Sequence, residues 1–347
     1  MTDDVIIRRE GVAGLLSLNR PKAIHALTHP MCEAMSAALS EWAADDAVQC
    51  IIIDHADGRG FCSGGDINLL RHSALSDEGA SGRAFFAAEY RLNHQLFTYG
   101  KPVVAFMDGI TMGGGVGISQ PARFRVATAN TRYAMPETGI GLFPDVGGGW
   151  YLSRLRGHVG SFLAVTGGRI DGADCVWAGL STHYLDGEML AGAKARIAGG
   201  EAIAAVLDEL AEAPPPSKLA AHAADIARHF GHATLEEILA SLAADESAWA
   251  QKELAALRTK SPQACKVSLR EIAESLQNAD FTAEMRMEYR IAARVLVLPD
   301  FAEGVRAVIV DKDNAPRWSP ATPEGVSEAM IDAIFAPLPA HEEWSPL

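Results

Sequence analysis

Gly58-Arg59-Gly60-Phe61-Cys62-Ser63-Gly64-Gly65-Asp66 follows directly on the apolar run Cys50–His55, and Met112-Gly113-Gly114-Gly115-Val116-Gly117 follows in the same way on Val103–Met107. Two short apolar runs, each ending in a glycine turn, read as buried strands feeding sharp connections. Adjacent glycines let the backbone turn tightly and approach a ligand. Free N–H groups at such turns can face an anion or a polarised carbonyl oxygen. The bland readings are as good locally: an ordinary strand-to-helix turn with Asp66 as a helix cap, and close helix-to-sheet packing that needs glycine for room. Neither segment fits GxGxxG or the P-loop pattern, which leaves a nucleotide fold unsupported.

Working outward, residues 5–8 and 15–19 flank Gly11 and Gly14 and predict a hairpin. Residues 30–45 carry apolar side chains at helical spacing behind a candidate cap, Thr28. Residues 84–99 predict a helix, 113–119 the opening of another, and 124–127 a further strand. This βαβ-like rhythm predicts an α/β fold with a mainly parallel sheet, helices outside it, and ligands at the strand ends. Composition changes near residue 187: up to about residue 300 the chain is rich in Ala, Leu and Glu, broken by Pro214, Pro215 and Pro216. The expected division is a core over 1–197 and a mainly helical lobe over 198–347. The Pro-rich tail, 318–347, predicts an extended surface segment.

The 347 residues are 48% hydrophobic and 21% charged, a globular composition. A net charge of −14 argues against a nucleic-acid partner, though local amides or lysines can still hold a small phosphate. Cys32, Cys50, Cys62, Cys175 and Cys265 include no CxxC pair and predict free thiols in a reducing compartment. The acidic start MTDDVIIRREG does not read as a signal peptide, and no stretch approaches the roughly 20 apolar residues of a membrane helix. A soluble cytoplasmic protein is expected. The eleven histidines show no HExxH or similar spacing, so no metal site is expected. Cys62 has no evident base and Ser63 no GxSxG elbow.

A third segment carries the acids: Met135-Pro136-Glu137-Thr138-Gly139-Ile140-Gly141-Leu142-Phe143-Pro144-Asp145-Val146-Gly147-Gly148-Gly149. Proline and glycine exclude one continuous helix here. Apolar neighbours such as Phe143 raise a carboxyl pKa by desolvation, and two nearby carboxyls drive their titrations apart, which suits one acid and one base. The alternative is structural: Asp145 caps a helix beginning near Val146, and Glu137 makes a buried hydrogen bond.

Together these three segments resemble the crotonase superfamily, and within it most closely the 3-hydroxyisobutyryl-CoA hydrolases. The likeness runs through residues 109–112, 124–128 and 134–149, and continues at Ser261-Pro262, Met287-Glu288-Tyr289-Arg290 and residues 301–313. It implies a spiral of ββα units with a C-terminal helical lobe. The implied chemistry is hydrolysis of a short 3-hydroxyacyl-CoA, 3-hydroxyisobutyryl-CoA foremost, in valine breakdown. By matching position, Glu137 and Asp145 are the catalytic carboxylates. The amides of Ser63 and Gly114 form the oxyanion hole. Glu89, Gly65, Asp66 and Gly113 bind substrate. In this reading Glu137 activates water or attacks the carbonyl, while Asp145 orients the substrate and can protonate the leaving thiolate. No resident cofactor is implied, since CoA belongs to the substrate, and the implied partners are an acyl-CoA and further copies of the chain. Two departures stand out. Gly117 occupies the position of the hydratases' first glutamate, and His25 replaces the Asn usual in the turn over residues 18–27. Lys312 reads as a CoA-phosphate contact or an ordinary surface lysine. The rival functions are an enoyl-CoA hydratase or isomerase and a non-catalytic acyl-CoA-binding subunit.

Overall fold

The computed structural model describes residues 2–346. Ten strands form two sheets: β1 Val5–Glu10, β2 Ala13–Leu18, β3 Cys50–His55, β4 Gly60–Cys62, β5 Val103–Met107, β6 Ile110–Met112, β7 Phe124–Ala127, β8 Arg132–Ala134, β9 Ile170–Asp171 and β10 His183–Tyr184. The larger sheet has the order β1-β2-β3-β5-β7-β10. Only the β1–β2 hairpin in it is antiparallel. The smaller sheet runs β4-β6-β8-β9. Each of β3, β5 and β7 is followed within a few residues by a short strand of the smaller sheet, the repeating unit of a spiral.

The expected strands are present, with β3, β5 and β7 at their expected bounds. The helix His29–Ala44 starts after Thr28, whose side chain makes no capping bond. The strands β4, β6 and β8 were not legible: three residues are too few to show a period of two. They exist because the corners are tight. Gly109, between β5 and β6, has φ +85°, and a Cβ there would lie 2.6 Å from the Arg59 carbonyl oxygen. Only glycine fits that corner.

Two compact units divide the chain, and they do not follow a single cut near residue 197. The first comprises Met1–Gly65, Arg91–Ala134 and Ile170–Ala221. It holds both sheets, and its core joins Leu15, Ile52, Val104, Phe106 and Val126 to Ile197, Val206 and Leu207. The start of the expected lobe is thus part of the sheet's own core. Composition reports what a segment is made of, whereas packing decides which hydrophobic face covers it.

The second unit comprises Asp66–Tyr90, Met135–Arg169 and His222–Leu347, and is helical. Phe162 and Phe230 meet edge to face at 5.0 Å beside Trp249. The tail is not simply extended: it includes the helix Glu328–Phe335, and Trp344 is buried with its indole N–H donating to the Ala87 carbonyl. Past β10, the described residues form helices and no strands.

Ile52 lies at the centre of β3, fully buried between two paired strands. Ile52→Ala should lower the unfolding free energy by about 3 kcal/mol in denaturant titration. A loss below about 1 kcal/mol would contradict its central place.

Candidate active site

The two glycine turns belong to the first unit and pack backbone against backbone. A Cβ at Gly64 would meet the Met112 carbonyl oxygen at 3.5 Å and the Gly114 nitrogen at 3.6 Å. One at Gly115 would fall 2.6 Å from the Cys62 carbonyl oxygen. The Ser63 N–H donates to the Ile24 carbonyl at 2.9 Å, and its hydroxyl donates to the Ala23 carbonyl at 3.1 Å. Ser63 is therefore corrected as an oxyanion donor, because its amide is already engaged. Leu27 N–H donates to the Gly64 carbonyl, and the bridge it makes turns the next amide, that of Gly65, out of the ladder. Gly113 is the N-cap of the helix Gly114–Ser119, and the Gly114 N–H lies in its first turn, where no intrahelical acceptor exists. The Gly65 amide, outside that bridge, and the Gly114 amide, in the first helical turn, are the candidate donors of these turns.

Asp66 is a helix cap: its carboxylate accepts from Leu69 N–H at the start of Ile67–Ser76. This is the bland reading of that residue. His25 has φ +55°, a conformation Asn and His tolerate better than most residues. Its buried ring accepts the Arg20 N–H at Nδ1 (2.9 Å) and reaches the Asp57 carbonyl with Nε2 (2.7 Å). That pattern requires the neutral Nε2–H tautomer, and burial lowers the His25 pKa in the same sense. The replacement of Asn is therefore a loop brace. Cys62 is buried with its thiol on the His25 carbonyl, an unreactive setting.

The carboxyls belong to the second unit. Glu137 opens a short 3-10 helix, Glu137–Ile140, that is clamped from several sides. Ser261 N–H donates to the Thr138 carbonyl, and the Thr138 hydroxyl donates to the Val165 carbonyl. Ser261 also donates its hydroxyl to Asp300 at 2.6 Å, and Asp300 lies against Gly141. The C-terminal likeness at Ser261-Pro262 and Phe301 thus coincides with the support of this turn. Asp145 precedes Val146, a β-branched residue held at φ +58°. Such strain persists only where surroundings over-determine it. Here Glu288 supplies the grip, accepting from Gly147 N–H at 2.7 Å and Gly149 N–H at 3.3 Å. Asp145 does not cap the following helix, whose N-cap is Gly147.

Glu89, Glu137 and Asp145 are all buried and within one another's fields. The Tyr90 hydroxyl donates to Asp145 at 2.8 Å, whereas one oxygen of Glu137 and one of Glu89 have no hydrogen-bond partner among the described residues. Burial raises all three pKa values. Asp145 is pushed up to about 7, with the Tyr90 hydrogen bond pulling the other way. Glu137 is held well above the carboxylate range by burial and by the charge of Asp145, and Glu89 by burial and by both neighbours. Burial and mutual repulsion thus push all three titrations upward, and the Tyr90 hydrogen bond favours the anion of Asp145.

Three features escaped the sequence reading. Tyr90 lies 55 residues from the carboxylate it serves. Asn93, one helical turn beyond Glu89, is fully buried with neither amide atom hydrogen-bonded, the mark of a group whose partner is a ligand or water. Glu288 stood out only as part of a matching tetrapeptide; its spacing showed no link to Gly147.

The family model for enoyl-CoA hydratase/isomerase matches residues 13–335. A 3-hydroxyisobutyryl-CoA hydrolase, mitochondrial, of Danio rerio is 41% identical over 96% of this chain and 90% of its own length. Its namesake in Homo sapiens is 39% identical over 97% and 89%. Among solved structures, a carnitinyl-CoA dehydratase from Mycobacterium thermoresistibile superimposes with a TM-score of 0.94 at 39% identity over 99% of both chains. An enoyl-CoA hydratase from Rhodobacter sphaeroides 2.4.1 gives 0.93 at 36% identity, covering 99% of this chain and all of its own.

A carboxyl that binds its proton more tightly when folded loses stability as pH rises between its unfolded and folded pKa values. For Asp145 that window runs from about 4, the free value, to about 7. Asp145→Asn should flatten the fall in stability between about pH 4 and 7. At pH 8 it should exceed the parent by about 1–3 kcal/mol. An unchanged slope in paired denaturant titrations would show that Asp145 is not buried as an acid.

Proposed function

The chain belongs to the enoyl-CoA hydratase/isomerase family, and on that footing we propose that it hydrolyses a short 3-hydroxyacyl-CoA thioester, 3-hydroxyisobutyryl-CoA first among them, as a step of valine breakdown. The observation that carries this reading is the pair of buried carboxyls, Glu137 and Asp145, the second held by the Tyr90 hydroxyl. Gly117, with no side chain to act, stands where a hydratase would place its first glutamate.

In the first unit the N–H groups of Gly65 and Gly114 suit an oxygen on which negative charge develops, each such donor contributing a few kcal/mol of transition-state stabilisation. In the second unit Glu137 and Asp145 suit one acid and one base: water attacks a thioester carbonyl carbon as its proton passes to one carboxylate, and the C–S bond breaks as the other carboxyl delivers its proton to the leaving sulfur. A proton returned from the first to the second resets the pair. The Tyr90 hydrogen bond stabilises the anion of Asp145 and favours it as the base, whereas the resemblance has Glu137 activating water or attacking the carbonyl. Glu89 and Asn93 suit the substrate's hydroxyl end. The reaction needs no cofactor beyond the CoA of the substrate. Five buried cysteines that form no disulfide among the described residues suit a reducing compartment, and we place the protein in the cytoplasm. Among the described residues no helix is long and apolar enough to cross a membrane. A homo-oligomer is the assembly this family membership suggests.

The rival reading, hydration or dehydration of the acyl chain, draws on the names of the two solved structures. Thiol release from 3-hydroxyisobutyryl-CoA, measured beside absorbance loss with crotonyl-CoA, separates the two. Release without hydration is expected. Glu137→Gln and Asp145→Asn should each lower kcat by about 10²–10⁴-fold, and the parent's rate should rise with pH through about 7 as Asp145 ionises. Hydration of crotonyl-CoA without thiol release would overturn the proposal.

A further inference from the structure

The helix Pro262–Ser275 carries Glu271, and the helix Phe281–Val295 carries Glu284 and Glu288 one turn apart. All three are fully buried, and they offer oxygens that lie within 4.8 Å of one another. Two have hydrogen-bond donors. Glu288 accepts the Gly147 and Gly149 amides. Glu284 accepts the Ser275 hydroxyl at 2.6 Å and the Asn278 amide at 2.7 Å. Glu271 has none: both its oxygens are buried without a partner among the described residues. Gly149 leaves the room for this convergence, since a Cβ there would lie 2.5 Å from Glu284 Oε1 and 2.9 Å from Glu271 Cγ.

Charge balance is the difficulty these residues pose. Three carboxylates this close, out of water, repel one another strongly unless protons or a cation join them; Glu284 and Glu288 lie within hydrogen-bonding reach of each other, whereas neither oxygen of Glu271 has a partner among the described residues. Arg154 acts on Glu284 at a distance. Its guanidinium donates to the Trp150 carbonyl and the Ser153 hydroxyl and stacks on the Trp150 ring. It does not reach Glu271. The donor set is oxygen only, without His or Cys, which selects hard cations. Complete burial disfavours magnesium, which keeps several waters, and favours calcium, which accepts irregular carboxylate cages.

We propose that Glu271, Glu284 and Glu288 form a binding site for one hard divalent cation, calcium in the first instance. Glu271 supplies the carboxylate that no protein donor meets, and Glu284 and Glu288 complete the set while keeping their amide and hydroxyl partners. The ion ties the two helices together and, through Glu288, fixes the Gly147–Gly149 amides that follow Asp145. No step of the proposed hydrolysis passes through it, so the site stands or falls independently of that reaction.

The test uses the full chain dialysed against a chelator, then titrated with Ca2+ by calorimetry, with Mg2+ and Mn2+ in parallel. Bound metal is counted by elemental analysis. One ion per chain is expected, with a melting temperature about 4 °C higher at saturating calcium and binding that weakens as pH falls. Glu271→Gln should abolish saturable binding and the calcium-dependent shift. Glu324→Gln, at an exposed acid, should retain both. Absence of stoichiometric binding and of any shift in the stripped parent chain would overturn the proposal, and would mean that protons hold the cluster. Undiminished binding by Glu271→Gln would overturn it equally. The parent titration decides the matter even if that variant fails to fold.

Discussion

A carboxylate removed from water must be hydrogen-bonded, paired or protonated, and the buried carboxyls of the second unit test each remedy. Asp145 is hydrogen-bonded by Tyr90, Glu288 by two loop amides and Glu284 by Ser275 and Asn278. Glu89, Glu137 and Glu271 each retain oxygens with no donor. Their chemistry follows from this unequal supply of donors. Where a donor is present the anion is tolerated; where none is, the group holds a proton or awaits a ligand.

The loop bearing Asp145 shows how structural acids serve reactive ones. Val146 is strained and Gly147 is left-handed, so the conformation needs an external hold. Glu288 provides it from a helix 141 residues away in sequence. The turn bearing Glu137 is held in the same manner by Ser261 and, through Gly141, by Asp300. The C-terminal helices therefore act as more than an appended lobe, for they determine where both carboxyls stand within their own unit. Stability is surrendered to keep unpaired acids in place, a usual trade at reactive sites.

The glycine turns of the first unit work by the opposite means. At Gly64–Gly65 and Gly113–Gly115 they carry no side chain, only amides held among close backbone contacts. Rigid donors need no reorganisation when charge develops on a substrate oxygen. The same closeness explains why Ser63 is excluded. Two residues before Gly65, its N–H is taken by the Ile24 carbonyl.

The parallel sheet, its two glycine turns and the acidic loop were legible in the sequence because short apolar runs, glycine pairs and carboxyls among apolar neighbours are local signals. Glu137 and Asp145 were legible for that reason, and their mutual influence on titration followed from eight residues of separation. Which amide faces outward was not, because a shift of one or two residues along a turn exchanges a free N–H for a bonded one. Tyr90, Glu288 and the Glu271–Glu284–Glu288 group were not legible either, since helices distant in sequence bring them together. Their partners are chosen by packing, and burial, which sets the titration of every one of these acids, is a property of the folded chain alone.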